Sequence, residues 1–161
     1  MKILECNEIL NNFTLDQLKQ KSTFGALSEE SITWLIKNGR CLQLDKGDLL
    51  FSPGEPGDSL FVIIKGSMSH YKEYSGYFSF IKNYDQGEQI GFMSMIGLHK
   101  RVGKALAYEE SILLEIDSDL FYRFHNQLPK EFGILLINLA RALARTLRVV
   151  DDKIVVQSHR G

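Results

Sequence analysis

The residues that could do chemistry are few, and most are poorly placed for catalysis. The four histidines, His70, His99, His125 and His159, include no pair three to five residues apart, so no zinc-type helical pair is present. No nucleophile elbow of the GxSxG kind and no Walker loop occurs. Cys6 and Cys41 are two isolated thiols: too few for a disulfide framework, too few to hold an iron–sulfur cluster, and suited to a reducing compartment. Neither a catalytic nor a metal-ligating set emerges. The stretch Asp85 to Ala107, DQGEQIGFMSMIGLHKRVGKALA, is different. Gly91-Phe92-Met93-Ser94-Met95-Ile96 reads as one or two helical turns ended by Gly97, and Lys100, Arg101 and Lys104 follow within five residues. The start of such a turn offers unpaired backbone N–H groups and a partial positive charge. An arginine beside it adds a planar fork of donors that grips a phosphate through two hydrogen bonds. The chemistry indicated is the binding of a small anion rather than its conversion.

Such a loop needs a frame, and the chain supplies three zones. Residues 1–38 read as helical: Thr14 and Gln17 have the capping-box spacing, and Ser28 caps a helix that carries Ile32, Leu35 and Ile36 as its apolar stripe. Residues 39–117 hold ten of the 13 glycines and two of the three prolines. Between them lie short apolar runs: Leu49 to Phe51, Leu60 to Ile64, Tyr77 to Ile81 and Ile112 to Ile116. That spacing of strands and turns predicts a sandwich or barrel. From residue 118 the pattern returns to helix. Asp117 or Ser118 caps a short helix through Phe124, and Pro129 opens a longer one. Along it Phe132, Leu136, Leu139, Leu143, Leu147, Val150 and Ile154 recur at near-heptad steps. The wide early stripe suits packing on the chain's own β zone. The narrower later seam suits a partner helix.

Composition sets outer bounds. At 161 residues, 44% apolar and 24% charged, the chain is of a size and make-up to bury one domain's core without a metal or disulfide staple. The formal charge is -1, so no overall field draws it to nucleic acid or an acidic membrane, and any such binding requires a local patch. The apolar runs are far short of the ~20 residues of a membrane span, and the first twelve residues lack a signal-type apolar region. These features predict a soluble, cytoplasmic protein with no membrane among its partners.

The run Lys46-Gly47-Asp48, then Gly54-Glu55-Pro56-Gly57-Asp58-Ser59-Leu60-Phe61-Val62-Ile63-Ile64-Lys65-Gly66, then Gly87 and Ile90-Gly91, resembles the cyclic-nucleotide-binding domain of the catabolite activator protein (Crp/Fnr-like) family and of cyclic-nucleotide-dependent kinases and channels. The likeness spans roughly residues 24–155. It implies a mainly β fold: an antiparallel β-roll (jelly-roll-like, eight strands) with N-terminal helices and a long C-terminal helix. The expected layout is a helical lead-in over 1–23, the domain over 24–157 with the roll at about 39–117 and helices at about 118–156, and a polar tail over 158–161. The resemblance implies a non-catalytic sensor, homodimeric through the long helix, with cyclic AMP or cyclic GMP as candidate ligand and no other cofactor. In the family's phosphate cassette a glycine, a glutamate, an aliphatic and a small residue precede an arginine ten positions after the glycine. Carried over, Gly91, Met93 and Ser94 present amides, Arg101 pairs with the cyclic phosphate, Val102 follows it, and Thr146 on the long helix reaches the purine. Phe92 stands where the family has the glutamate that accepts the ribose 2′-hydroxyl. Losing such a charge-assisted bond costs about 1.5–3 kcal/mol, about ten- to a hundredfold in affinity. Two further readings are therefore carried: a dimeric interaction scaffold whose pocket is vestigial and plugged by Phe92, and a haem- or redox-sensing relative using a histidine and Cys41. In DNA-binding relatives a helix-turn-helix follows the long helix; too few residues follow Ile154 in this chain to supply one. The basic stripe Arg141, Arg145 and Arg148 reads as a solvated helix face.

Overall fold

The computed structural model describes residues 1–20 and 22–159. Nine strands form two antiparallel sheets. In the first, β1 (Lys2–Leu4), β2 (Arg40–Leu44), β9 (Ser111–Asp117), β4 (Ser59–Lys65) and β7 (Gln89–Ile90) lie side by side in that order. In the second the order is β3 (Leu49–Phe51), β8 (Gly103–Ala107), β5 (Met68–Tyr74) and β6 (Tyr77–Tyr84). The eight strands β2 to β9 make the expected roll, and β1 extends its edge. The strand β1 departs from the wholly helical reading of residues 1–38. Three residues are too few to show a period, and pairing of Leu4 with Cys41 is what makes them a strand.

The helices follow their caps. In α1 (Cys6–Asn12) Glu5 and Glu8 form the capping box. In α2 (Leu15–Lys19) the Thr14 hydroxyl accepts from the Gln17 amide at 3.2 Å, and in α3 (Glu29–Asn38) Ser28 accepts from Ser31 at 3.1 Å. The short α4 (Phe92–Ile96) leaves the roll after β7. Asp117 caps α5 (Ser118–Gln127), its carboxylate accepting from the Leu120 amide at 2.7 Å. Pro129 opens α6 (Pro129–Ser158), where its missing N–H costs nothing. Of the tail expected over 158–161, Ser158 closes α6 and Arg160 and Gly161 lie outside the described residues.

The first sheet is a partition, which is why its central strands are apolar without alternation. On one face Leu60, Val62, Ile64, Leu114 and Ile116 pack with Phe24, Ile32, Leu35, Phe124, Leu135 and Leu139 in a helix-side core. On the other, Phe61, Ile63, Leu113 and Leu42 join Phe51, Met68 and Ala105 inside the roll. Helix α6 begins on the first core, Leu135 and Leu139 buried and Phe132 and Leu143 half-buried against it. The Asn138 amide ties it down by donating to the carbonyls of Thr23 and Gly25 at 3.1 and 2.7 Å. Beyond Leu143 the helix leaves the domain: Leu147, Val150 and Ile154 are exposed, as are Val149, Val155 and Val156.

Candidate functional site at the mouth of the roll

The roll opens where the inner-face ladder Arg40–Glu115–Phe61–Ile90 crosses four strands of the first sheet. Against that mouth lie the loop Gly54 to Asp58 and the cassette Gly91 to Arg101. The two are stitched together by backbone: the Arg101 amide donates to the Glu55 carbonyl, and the Gly54 amide donates to the Arg101 carbonyl, both at 2.9 Å. Gly57 permits the close approach, since a Cβ there would lie 2.6 Å from that of Ser94.

Gly91 turns the chain from β7 into α4 with φ 97°, the left-handed region that favours glycine. A Cβ there would also meet the Arg101 Nη1 at 2.8 Å and the Ser59 carbonyl at 3.0 Å. The residue type is thus dictated twice, by backbone and by the guanidinium that fills the space beside it. Ser94 is buried in the first turn, and the Met93 and Ser94 amides have no intrahelical acceptor at that position. The Phe92 amide is already used, donating to Gln89 Oε1 at 3.3 Å.

Arg101 is only 4% exposed. Its Nη1 donates to the Gly91 carbonyl at 2.9 Å and its Nη2 to the Ser59 carbonyl at 2.6 Å. The guanidinium carbon stands 4.4 Å from the Phe51 ring centroid and 5.8 Å from that of Phe61. Nε is buried without a partner among the described residues. Burial presses its pKa down from the usual value, while Asp58, Glu115 and Glu55 pull it back up. A cavity of about 230 Å³ adjoins the guanidinium, lined by Leu42, Leu50, Phe51, Pro56 and Phe61 on its apolar side and by Arg40, Glu55, Asp58 and Glu115 on its polar side. Arg40 Nε is paired with Glu115 at 2.5 Å. A neighbouring cavity of about 320 Å³ shares Arg40, Asp58, Ser59 and Glu115 and continues to Asn38 and Asp117, but Arg101 does not line it. The cavity beside Arg101 is therefore the candidate ligand position. It lies below the roughly 300 Å³ at which small-molecule pockets begin. Three carboxylates line it against two guanidiniums, and Met1, whose ammonium pairs with Asp48 at 2.9 Å, lines it too.

The sequence-predicted residues separate in the structure. Gly91 and Arg101 come together, whereas Ser94 is buried against Gly57, and neither Gly91 nor Ser94 lines the cavity. The Phe92 ring does not plug the roll: it is 2% exposed and lies in the helix-side core, 6.2 Å from Phe121 between centroids. The partition sheet explains the direction, since the first residue of α4 faces the helices rather than the mouth. The ring that does sit on Arg101 belongs to Phe51. Met93 and Val102 are exposed. Thr146 is half-buried, bonds its own helix through the Ala142 carbonyl at 3.1 Å, and does not line the cavity. Glu88 is spent on the β6–β7 turn, accepting from Lys82 at 3.0 Å and the Asp85 amide at 2.7 Å. Of the basic cluster only Arg101 turns inward: Lys100 is exposed, and Lys104 lies over the Phe78 ring at 4.0 Å. Cys41 is buried beside Cys6, and burial first, Cys6 second, pushes its thiol up to about 12. Among the described residues no three histidine, cysteine or acidic side chains converge on a metal position. Sequence reasoning missed Phe51, Ser59, Arg40 and Glu115. The Gly54-to-Gly66 run pointed towards Ser59, but only cross-sheet pairing reveals the others.

Comparison with known proteins agrees with the fold. A cyclic nucleotide-binding domain from Methylobacillus flagellatus superposes with a TM-score of 0.80 at 24% identity, covering 97% of this chain and 88% of that one. The Thermus thermophilus catabolite activator protein gives 0.73 at 24% identity, over 85% of this chain and 63% of that one. Among curated relatives, the lysophospholipase NTE1 of Phaeosphaeria nodorum is 25% identical over 119 residues. That match takes in 73% of this chain but 8% of the relative, so the chain spans a small fraction of that protein. Residues 41–127, more than half the chain, match the model of the family described as cyclic nucleotide-binding domain. With its β-roll, its glycine-led cassette and its buried arginine, this chain belongs to the cyclic nucleotide-binding domain family.

Proposed function

We propose that this chain is a non-catalytic regulatory domain in which the nucleotide position has become a structural joint, so that cyclic AMP and cyclic GMP bind weakly or not at all. The observation that carries this is the commitment of Arg101: both terminal nitrogens donate to backbone carbonyls, and the face of the guanidinium lies on Phe51. A cyclic phosphate would have to displace those bonds. It would also enter a cavity where Glu55, Asp58 and Glu115 offset the two guanidiniums. With a phenyl ring in place of the ribose acceptor and turned into the opposite core, nothing on the cassette replaces the lost bond. The fungal relative is an enzyme by name and the matching segment forms 8% of it, which fits a segment that carries no chemistry of its own.

On this reading the output surface is α6. Its seam beyond Leu143 is apolar and uncovered, and a homodimer through two such helices would bury Leu147, Val150 and Ile154. A reducing, cytoplasmic setting suits the two free thiols. Calorimetric titration with cyclic AMP and with cyclic GMP tests the reading. No saturable heat at about millimolar ligand is expected. Binding in the micromolar range that disappears in Arg101→Ala would overturn it.

A further inference from the structure

The hairpin β5–β6 runs past the roll as a free blade. Its two-residue tip, Ser75 and Gly76, has φ 50° and 82°, the left-handed pair that turns a tight hairpin. Tyr74, Tyr77, Phe78, Phe80 and Ile81 are all between 42% and 82% exposed. Register places them on both faces. Tyr71 pairs with Phe80 and Glu73 with Phe78 on one side, whereas Tyr74 pairs with Tyr77 on the other, and Ile81 sits at the bulge. Single exposed apolar residues are ordinary, but five on one hairpin form a patch that marks an interaction site.

Charge accompanies the rings. Lys104 pairs with Tyr71 across the sheet, and its ammonium stands 4.0 Å from the Phe78 centroid. Lys72 lies on the Tyr74 face, and Lys82, the third cation, is tied to Glu88 at 3.0 Å. Glu73 is the lone acid on the blade's strands. An ammonium thus lies on each face, that of Lys72 from β5 and that of Lys104 from the adjoining β8, the latter over aromatic rings.

We infer that the β5–β6 blade is a docking element for an anionic lipid bilayer, its rings entering the headgroup region and Lys72 and Lys104 meeting lipid phosphates and carboxylates. The two-sidedness decides between occupants. A flat protein surface laid against one face would leave the rings of the other uncovered. A bilayer interface closes around both. Tyrosine, with an apolar ring and polar tip, suits that boundary, and lysine stems reach from it to the headgroups. The chain's near-zero net charge makes this a local effect that rests on the blade alone.

Flotation of the full chain with vesicles of phosphatidylcholine alone, or with about a third phosphatidylserine, tests the inference. Binding is expected to the second and to be weak to the first. Raising salt from about 0.05 to about 0.5 M should reduce it, since the cations act through a screened surface potential. The pair Phe78→Ser with Phe80→Ser should reduce binding at least about tenfold, and Lys72→Gln with Lys104→Gln by about as much, with circular dichroism unchanged. Should the first pair fail to fold, Tyr74→Ser with Tyr77→Ser at the exposed tip reads the same contact. No flotation with either vesicle would overturn the proposal, as would binding unaffected by these variants. A vesicle-independent oligomer that dissociates in the tip variant would also overturn it, assigning the blade to a second copy.

Discussion

Replacing Arg101 by methionine separates a structural joint from a waiting ligand site. The side chain is 4% exposed, and its removal strands two carbonyls, those of Gly91 and Ser59, that now receive charged donors. Hydrogen bonds to charged groups are worth about 1.5–3 kcal/mol each, so about 3–6 kcal/mol is lost. Some returns, because a buried guanidinium no longer has to be desolvated and a methionine stem keeps part of the contact with Phe51. The expected net loss is about 3 kcal/mol. That is a large part of the roughly 5–15 kcal/mol that holds a domain folded, and it lowers the thermal midpoint by about 10 °C. Urea unfolding followed by circular dichroism measures it, and Arg101→Lys, with one charge and no fork, should fall between methionine and the native residue. An arginine kept for an absent phosphate would behave in the opposite way: its removal would relieve an uncompensated buried charge. Arg101→Met as stable as the native chain, or more so, would refute the reasoning.

Three other outcomes follow from the same contacts. Phe92→Glu places an unpartnered carboxylate among Phe121 and the helix-side core and should cost about 4 kcal/mol in urea unfolding; a well-folded variant that gains cyclic AMP affinity would show the ring faces the mouth instead. Leu147→Glu, at an exposed position beyond the intrachain core, should leave the fold intact and reduce the mass seen by light scattering from dimer to monomer, and an unchanged mass would remove α6 as the self-pairing surface. Burial first, and Lys72 second, holds the His70 pKa below its ordinary 6.5, and its Nδ1 has no partner among the described residues, so the native state prefers the neutral ring. The stability this ring contributes is whole above pH about 6.5 and is lost as pH falls through the lower folded value. His70→Phe should flatten that acid limb in denaturation measured at about pH 7.5 and about pH 5.5, and an unchanged slope would count against it.

Local signals carried far. The caps at Thr14, Ser28 and Asp117, the proline opening α6 and the strands around Leu49, Leu60, Tyr77 and Ile112 all appear where residue type and spacing place them, because each depends on neighbours within a few positions. The glycine turn at Gly91 and the basic cluster after it were legible for the same reason, whereas the pairing of Gly91 with Arg101 came from the family resemblance. What the sequence hid is what long-range pairing decides. β1 exists only because β2 lies beside it. Phe92 faces the helices rather than the mouth because the partition sheet gives α4 no other side to bury. Phe51 and Ser59 reach Arg101 from separate segments, and Glu115 comes into line with Arg40 only through the register of β2 with β9. None of these has a spacing that marks it in one dimension.

The most direct test of the account is a crystal structure of the protein grown with about 10 mM cyclic AMP, a concentration chosen to populate even sites of millimolar affinity. The account predicts Arg101 still donating to the carbonyls of Gly91 and Ser59, Phe51 still against its face, and no phosphate at the start of α4. A cyclic phosphate held by Arg101 and the amides of Met93 and Ser94 would contradict it.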